Sequence, residues 1–241
     1  MQPKCAYCGK QINGKFYNDY WGNSYCAEHL KSVPQCNYCG RLIGKNITRG
    51  GKSYSDGRRI CGICLKKAVT DNAQGLRLLT GVRNTLKLDG IEISPFRPEF
   101  TLISRSKLKQ LDQGSGEKQG FAVFNRQLEN EVVKSFTMQI FILDGLPEAS
   151  FISTCAHELM HIWFYSHNIT DTSPALAEGS CNMASYLVLR RQKTPEAELL
   201  IKGLFEDKNK IYGGGFRKVQ RLSDKRGIDG WLNYAKTHKR I

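Results

Sequence analysis

Residues 156–163 read Ala-His-Glu-Leu-Met-His-Ile-Trp. His157 and His161 are four residues apart, so in a helix they lie on one face, one turn apart. Apolar side chains such as Phe151 and Trp163 surround them. Burying two imidazoles and a carboxylate among such neighbours costs free energy unless they have a binding partner. The stretch therefore predicts a buried helix whose polar groups bind a common partner.

The spacing of these histidines is typical of a zinc site. Neutral His157 and His161 can hold one ion, and Glu158 between them would face the water on that ion. Zinc lowers the pKa of bound water towards ~7, and a neighbouring carboxylate can take the proton. The alternative is a pair of structural histidines with satisfied hydrogen bonds.

A catalytic zinc needs a third protein ligand and an open position. Glu178 is the candidate, because its setting, Ala-Leu-Ala-Glu-Gly-Ser-Cys, is too apolar for an idle carboxylate. An ordinary salt-bridged helix glutamate is the alternative. His167 is less suited, since it follows His161 by six residues and falls on a predicted turn.

Two tyrosines and two cysteines have more than one possible role at the predicted site. Tyr212, just before three glycines, is the candidate donor to a developing oxyanion, and Tyr186 is its competitor. Core packing is the alternative role for either tyrosine. Cys155 and Cys181 are interpreted as buried, small apolar groups, with a regulatory thiol as the alternative.

A cysteine-rich segment precedes the motif, and seven of the nine cysteines lie before residue 65. Paired ligands two residues apart, with roughly twenty residues between pairs, are typical of structural zinc sites. So short a segment has too small an apolar core to fold without them. The predicted sets are Cys5, Cys8, Cys26 and His29 for one zinc ion, and Cys36, Cys39, Cys61 and Cys64 for a second.

The chain of 241 residues is expected to divide near residue 68. Residues 1–68 form the tandem zinc module and residues 69–241 an α+β domain. No fixed-period repeat is evident. Apolar periodicity and turn residues predict the elements: one or two helices over 63–88; strands at 90–94, 100–104, 120–125 and 135–143; a turn at Pro95 and Pro98; a flexible loop at 112–120; a close-approach or hinge segment at 213–215; and helices at 106–111, 149–166, 174–191, 195–208, 216–225 and 228–238.

Composition and charge indicate which kinds of binding partner and which cellular location to expect. The formal net charge is +14, which favours acidic partners at low salt, although a soluble basic surface explains it as well. Aromatic and basic residues alternate in the zinc module, but they are expected to form its small core, so nucleic acid is not the expected partner. No apolar run reaches membrane-spanning length, and no signal-peptide pattern starts the chain. A cytoplasmic protein is expected.

Four stretches together resemble a known family. They are Tyr-Cys-Ala-Glu-His at 25–29; Asp-Gly-Arg-Arg-Ile-Cys-Gly-Ile-Cys-Leu at 56–65 with Ala-Val-Thr-Asp at 68–71; Gly-Leu-Pro followed by Ala-His-Glu-Leu-Met-His-Ile-Trp at 156–163; and Glu-Gly-Ser-Cys at 178–181 with Tyr-Gly-Gly-Gly-Phe-Arg at 212–217. The chain resembles the LIM-domain zinc peptidases that limit organ and seed size in plants and have bacterial relatives.

The resemblance implies a zincin-like domain of the gluzincin type behind a LIM-like double zinc module. It carries His157, His161 and Glu178 over as zinc ligands and Glu158 as the catalytic base. Regulatory proteins as substrates, and a link to ubiquitin, are implied by the resemblance alone. Position 182 is Asn, where thermolysin-like gluzincins have an Asp that orients a ligand histidine, so either another group orients it here or its orientation is looser.

The function predicted from these patterns is a zinc endopeptidase with one catalytic and two structural ions. Protein or peptide substrates would add as an extra strand to a sheet edge, and the zinc module would serve protein interaction or regulation. The alternative is a zinc-binding scaffold or adaptor with a silent peptidase site.

Overall fold

The computed structural model describes residues 3–93, 97–112, 118–129 and 132–241. The chain forms two compact units, Met1–Ala68 and Val69–Ile241. Helices and small sheets are mixed in both units, which confirms an α+β fold at that level. No helix among the described residues combines the length and the apolar character needed to span a membrane.

The first unit is built from short elements. Strands β1 and β2 pair antiparallel, with Tyr17 opposite Tyr25, and β3 and β4 pair antiparallel, with Lys52 opposite Ile60. The elements are β1 (Phe16–Asn18), β2 (Ser24–Cys26), α1 (Ala27–Ser32), α2 (Lys45–Thr48), β3 (Gly51–Ser53), β4 (Arg59–Cys61) and α3 (Gly62–Lys66).

This unit contains two copies of one backbone pattern. The backbone turn at Cys5, where its N–H donates to Lys10 O at 2.8 Å, recurs at Cys36, whose N–H donates to Arg41 O at 2.9 Å. In both copies a glycine follows the second cysteine with positive φ, 75° at Gly9 and 72° at Gly40. An isolated antiparallel bridge encloses each turn, and a hairpin and a short helix follow it, with α2 inserted before the hairpin of the second copy. The two copies differ in length, which is consistent with the lack of a fixed-period repeat in the sequence.

The second unit contains a three-stranded sheet and six helices among its described residues. Strand order is β6-β8-β7, with β6 parallel and β7 antiparallel to the central β8. The elements are β5 (Ala68–Val69), α4 (Asn72–Leu88), β6 (Glu99–Ile103), α5 (Arg105–Asp112), β7 (Gly120–Glu129), β8 (Val132–Leu143), β9 (Leu146–Pro147), α6 (Glu148–Ser166), α7 (Pro174–Gln192), α8 (Pro195–Glu206) and α9 (Tyr212–Thr237).

Most of the predicted elements of this unit are confirmed. Helices α7 and α8 begin at prolines, and Ser173 and Thr194 cap them as their sequences predict. The prediction of a strand at 90–94 is wrong for residues 91–93, which are irregular. Ile91 N–H donates instead to Leu86 O at the C-terminal end of α4. The helical stretch 63–88 is split, since the Asp71 side chain caps a new helix. Pro95 and residues 113–117 of the expected loop lie outside the described residues.

Helices α6 and α7 pack along each other in the core of this unit. Both helices are largely buried, with Phe151 and Leu159 on α6 and Leu187 on α7 at 0% exposure. Helix α9 packs on the other side of α7, where Trp231 Nε1–H donates to Ser180 Oγ at 3.1 Å. The helix expected to carry the two histidines is therefore held between the sheet and a second buried helix.

The glycines at 213–215 do not form a hinge. They lie in the first turn of α9, which is helical from Tyr212. The expected close approach is confirmed: a Cβ on Gly215 would lie 2.2 Å from Ala175 O, and one on Gly179 would lie 2.4 Å from the carbonyl carbon of Gly215. Helix α9 breaks at Gly227, which has φ 75°, so two helical segments are present where two were predicted.

Replacing Gly215 with alanine is expected to destabilise the second unit by about 1–3 kcal/mol, since the added methyl group meets backbone rather than a movable side chain. Gly81→Ala is the matched control. Gly81 lies in the exposed middle of α4 with no neighbour near its would-be Cβ, so alanine should add ~0.5–1 kcal/mol there. Chemical denaturation measures both, and equal stability of the two variants would contradict the packing described for α7 and α9.

Candidate metal centres

Three side chains from two helices converge in the second unit. Glu178 Oε2 on α7 lies 3.1 Å from His157 Nε2 and 3.7 Å from His161 Nε2, both on α6. The two imidazoles are one turn apart, with ring centroids separated by 5.1 Å. The structure thus brings together all three residues that the sequence singled out as ligands.

Asn182 sets the orientation of His157. Its Oδ1 lies 3.1 Å from His157 Nδ1, and its Nδ2–H donates to Tyr212 O at 3.3 Å. An imidazole that gives its Nδ1 hydrogen to Asn182 presents the lone pair of Nε2 to Glu178. The expectation that another group must orient this histidine was wrong, because an amide oxygen accepts the same hydrogen as a carboxylate oxygen.

The residues present suit a divalent cation. Glu178 Oε2 is buried and accepts no hydrogen bond from any described residue. It lies 3.1 Å from His157 Nε2, so the two atoms are placed where one cation could bind both. Two imidazole nitrogens and a carboxylate oxygen form a ligand set that zinc accepts in sites with one open position.

Charge state favours metal binding at His161 and Glu178. Burial, helped by nearby His157, lowers the pKa of His161 to about 4, so this imidazole is neutral and free to ligate. Burial lowers the pKa of His157, but the neighbouring carboxylates of Glu178 and Glu158 have the larger effect, so the pKa of His157 is raised. Burial likewise opposes ionisation of Glu178, yet the two histidines keep its pKa below the usual value.

Glu158 lies on the same helix, beside the two histidines. It is 6% exposed, and burial raises its pKa to about 7 despite hydrogen bonding from the Ala122 backbone. Gly120 at the start of β7 lies against it, since a Cβ there would come within 2.7 Å of Glu158 Oε1. The edge of the sheet thus covers one side of this carboxylate.

A cavity of about 670 Å³ opens onto these groups. Glu158, the two histidines, Glu178 and Tyr212 all line it. Burial raises the pKa of Tyr212, as does the nearby charge of Glu178. Tyr186 does not line the cavity and packs against Phe205 and Phe216 at 5.9 and 5.8 Å between ring centroids. Of the two candidate tyrosines, the structure places only Tyr212 at the site.

The sequence reasoning missed two residues of this cavity. Tyr165 stacks on Phe124 at 5.5 Å between ring centroids and lines the wall beyond His161. Its spacing of four residues from His161 could have suggested this position. Lys118 lines the cavity and pairs with Asp112 at 2.5 Å. No pattern in the sequence points to Lys118, because it precedes the strand rather than lying in a periodic element.

The two cysteines near the motif differ in their placement. Both are buried, at 0% exposure, as expected for small apolar groups. Cys181 Sγ, however, lies within 4.8 Å of ligand atoms of His157, His161 and Glu178. Cys155 does not belong to this cluster of potential ligands.

The first unit contains two clusters with the predicted ligand sets. Cys5, Cys8, Cys26 and His29 form one, in which His29 Nδ1 lies 2.9 Å from Cys26 Sγ and 3.4 Å from Cys5 Sγ. Burial opposes ionisation of Cys5, but hydrogen bonds from the backbone of Cys26 and Cys8 and from His29 lower its pKa to about 6. A thiolate at neutral pH is the form that binds zinc.

The second cluster consists of Cys36, Cys39, Cys61 and Cys64, all buried. Cys39 Sγ and Cys61 Sγ lie 3.6 Å apart, and the Cys61 N–H donates to Cys36 Sγ at 3.3 Å. Cys26 and Cys61 occupy equivalent places, each as the residue before a short helix. Four sulfur atoms packed so closely without a disulfide could bind a zinc ion.

Replacing Asn182 with alanine is expected to weaken zinc binding at His157, His161 and Glu178 by ~10–100-fold, because His157 loses the partner that fixes its tautomer. Asn182→Asp should retain binding, since a carboxylate accepts the same hydrogen. Competition titration with a chromophoric chelator measures the affinity. Asn233→Ala, on the exposed face of α9, is the control. An unchanged affinity in Asn182→Ala would show that the hydrogen bond to His157 does not hold the ligand.

Comparison with known proteins places the chain near one family. Residues 97–203, less than half of the chain, match the DA1-like family model, described as Protein DA1. The matched segment includes the histidines, Glu178 and Asn182, whereas Tyr212 lies beyond it. No solved structure matches the chain.

The curated proteins that the chain resembles include members named for DA1 and for a LIM domain. The chain is 22% identical to the LIM domain-containing protein HDR3 of Oryza sativa subsp. japonica, over 97% of this chain and 61% of that protein. It is 25% identical to Protein DA1-related 2 of Arabidopsis thaliana, over 97% of this chain and 57% of that protein. Protein DA1 of Arabidopsis thaliana is 26% identical, over 76% of this chain and 41% of its own length. The chain thus spans about half the length of the relatives it matches, and the comparisons support a relationship with the DA1-like family.

Proposed function

We propose that this protein is a zinc-dependent endopeptidase that hydrolyses peptide bonds in protein substrates. The observation that carries the proposal is the convergence of His157, His161 and Glu178 beside the buried carboxylate of Glu158, at the wall of an open cavity. A structural metal site needs neither a buried acid next to its ligands nor a cavity in front of them.

His157, His161 and Glu178 would hold the ion. When bound, zinc supplies Lewis-acid polarisation of the scissile carbonyl and lowers the pKa of water. Glu158 takes the proton from the attacking water and then hands it to the leaving amine. A pKa near 7, caused by burial, suits a group that must do both near neutral pH.

Tyr212 would donate a hydrogen bond to the oxyanion that develops on the substrate. Asn209 Oδ1 accepts from Tyr212 N–H at 3.1 Å, and Asn182 donates to Tyr212 O. The backbone of Tyr212 is therefore held from both sides at the wall of the cavity. Such preorganised donors are effective because they need no rearrangement when charge develops.

The substrate would bind along the edge of the sheet. Strand β7 is an edge strand, because β8 lies on only one side of it. Its first residues, Gly120, Phe121 and Ala122, line the cavity beside Glu158. An extended peptide that pairs with this edge would pass in front of Glu158 and the metal ligands.

The first unit would act as a LIM-like zinc module for protein interaction or regulation. Two metal-ligand clusters in a segment of this size are consistent with a fold that depends on its ions. A regulatory protein partner and a ubiquitin-linked context rest on family resemblance alone.

Replacing Glu158 with glutamine is expected to reduce cleavage of a denatured protein substrate by at least ~100-fold, because the water loses its base. Zinc content should stay at the wild-type value, since Glu158 is not a proposed ligand. Glu148→Gln, at the exposed first turn of α6, is the control. Full activity in Glu158→Gln would refute the mechanism.

Metal content separates the endopeptidase from a scaffold with a silent site. Three zinc ions per wild-type chain, of which one is lost in His161→Ala, are expected of the enzyme. Two ions, unaffected by that substitution, would favour the scaffold. Inductively coupled plasma mass spectrometry on the purified full chain gives this count.

Replacing Tyr212 with phenylalanine is expected to lower kcat by ~100–1,000-fold with little change in KM, as for the removal of one oxyanion donor. Tyr186→Phe, at a tyrosine that lies outside the cavity, should leave both constants near wild type. Steady-state kinetics on a quenched fluorescent peptide measures the two variants. Equal kcat values in both variants would remove Tyr212 from the mechanism.

A further inference from the structure

A fourth potential ligand lies at the metal site of the second unit. Cys181 follows Glu178 by three residues on α7, so the two side chains lie on the same face of that helix. The Cys181 Sγ atom and the ligand atoms of His157, His161 and Glu178 all lie within 4.8 Å of one another. A small contraction around a bound ion would bring four such atoms to tetrahedral coordination.

The chemistry of the group suits this position. Zinc binds thiolate sulfur as readily as imidazole nitrogen and carboxylate oxygen. With two neutral imidazoles and one carboxylate, a divalent ion keeps one unit of positive charge that its ligands do not compensate. A charge that is not compensated is costly at a buried site, and Cys181, at 0% exposure, could cancel it by direct contact.

We propose that Cys181 is an additional ligand of this ion, which gives the site a closed, thiolate-bound form beside the open one. The inference rests on the zinc site of the proposed endopeptidase. In the closed form the thiol releases its proton to solvent and a sulfur–metal bond forms. In the open form water replaces the sulfur, which takes up a proton again. The protein would therefore be latent while Cys181 is bound.

Cys155 provides a matched control. It is as buried as Cys181 and also lies close to the motif, two residues before His157. Two residues along a helix correspond to nearly opposite faces, and Cys155 is absent from the ligand cluster. Substitution of Cys155 thus tests for effects of losing any buried thiol in this helix pair.

The probe is Co²⁺ added to the full chain that already holds two equivalents of Zn²⁺. The cysteine-rich clusters of the first unit retain zinc, which they bind more tightly than cobalt. The added cobalt then reports on the remaining site. Thiolate ligation gives a strong near-ultraviolet charge-transfer band, while nitrogen and oxygen ligation gives only the weak visible bands.

We expect the charge-transfer band in wild type and in Cys155→Ser. In Cys181→Ser and Cys181→Ala it should be lost while the visible bands remain, and cobalt affinity should fall by at least ~10-fold. Visible bands without a charge-transfer band in wild type would overturn the role of Cys181 and leave the endopeptidase proposal standing. A charge-transfer band that persists in both Cys181 variants would also overturn it. No cobalt absorption in any variant would overturn both proposals.

Discussion

The second unit depends on one constraint: helices α6 and α7 must lie close enough for Glu178 Oε2 to reach both His157 and His161. Glycine makes that approach possible on the far side of α7. Gly179 faces Gly215 there, with no room for a Cβ between the two backbones. Helix α9 can therefore pack closely on α7, while the candidate ligands on α6 and α7 meet on the other side of α7.

The same constraint explains why the polar groups are tolerated in the core. His157, His161 and Glu178 each expose about a fifth of their side chains, while their apolar neighbours on α6 and α7 are fully buried. Charged groups in such surroundings are stable only when paired or bound to a metal. The first unit has a different balance between apolar burial and metal binding, because eight potential ligands occupy a segment with a small apolar core. Its order is expected to come from ions more than from apolar burial.

The sequence predicted which side chains converge better than it predicted what surrounds them. Spacing along a helix places His157 beside His161, and the apolar setting of Glu178 marks it as unusual, so both inferences rest on local physics. The roles of Asn182, Lys118 and Tyr165 could not be predicted as readily. They depend on which loop or strand comes to face α6, which is a property of the tertiary fold. Likewise, Tyr212 and Tyr186 look equivalent in the sequence, and only the packing of α9 separates one from the other.

Secondary structure shows the same division. Helices that begin with a capping residue and proline were predicted well, because both signals are local. The segment with Ile91 and Ile93 alternates like a strand, yet it is irregular and buried, since its isoleucines fill the core at the end of α4. Alternation of apolar and polar residues indicates that one side of a segment is buried. It does not indicate whether a neighbouring strand is present to pair with that segment.

The position of Gly120 restricts how protons travel. The start of β7 lies against Glu158 with room for hydrogen alone, so the sheet closes that side of the carboxylate to solvent. The other sides face helix α6 and the cavity. Among the described residues, the cavity is the open side through which Glu158 can exchange a proton. In the proposed reaction, a bound peptide would fill that space, and the groups that exchange the proton would be the reacting groups rather than bulk water.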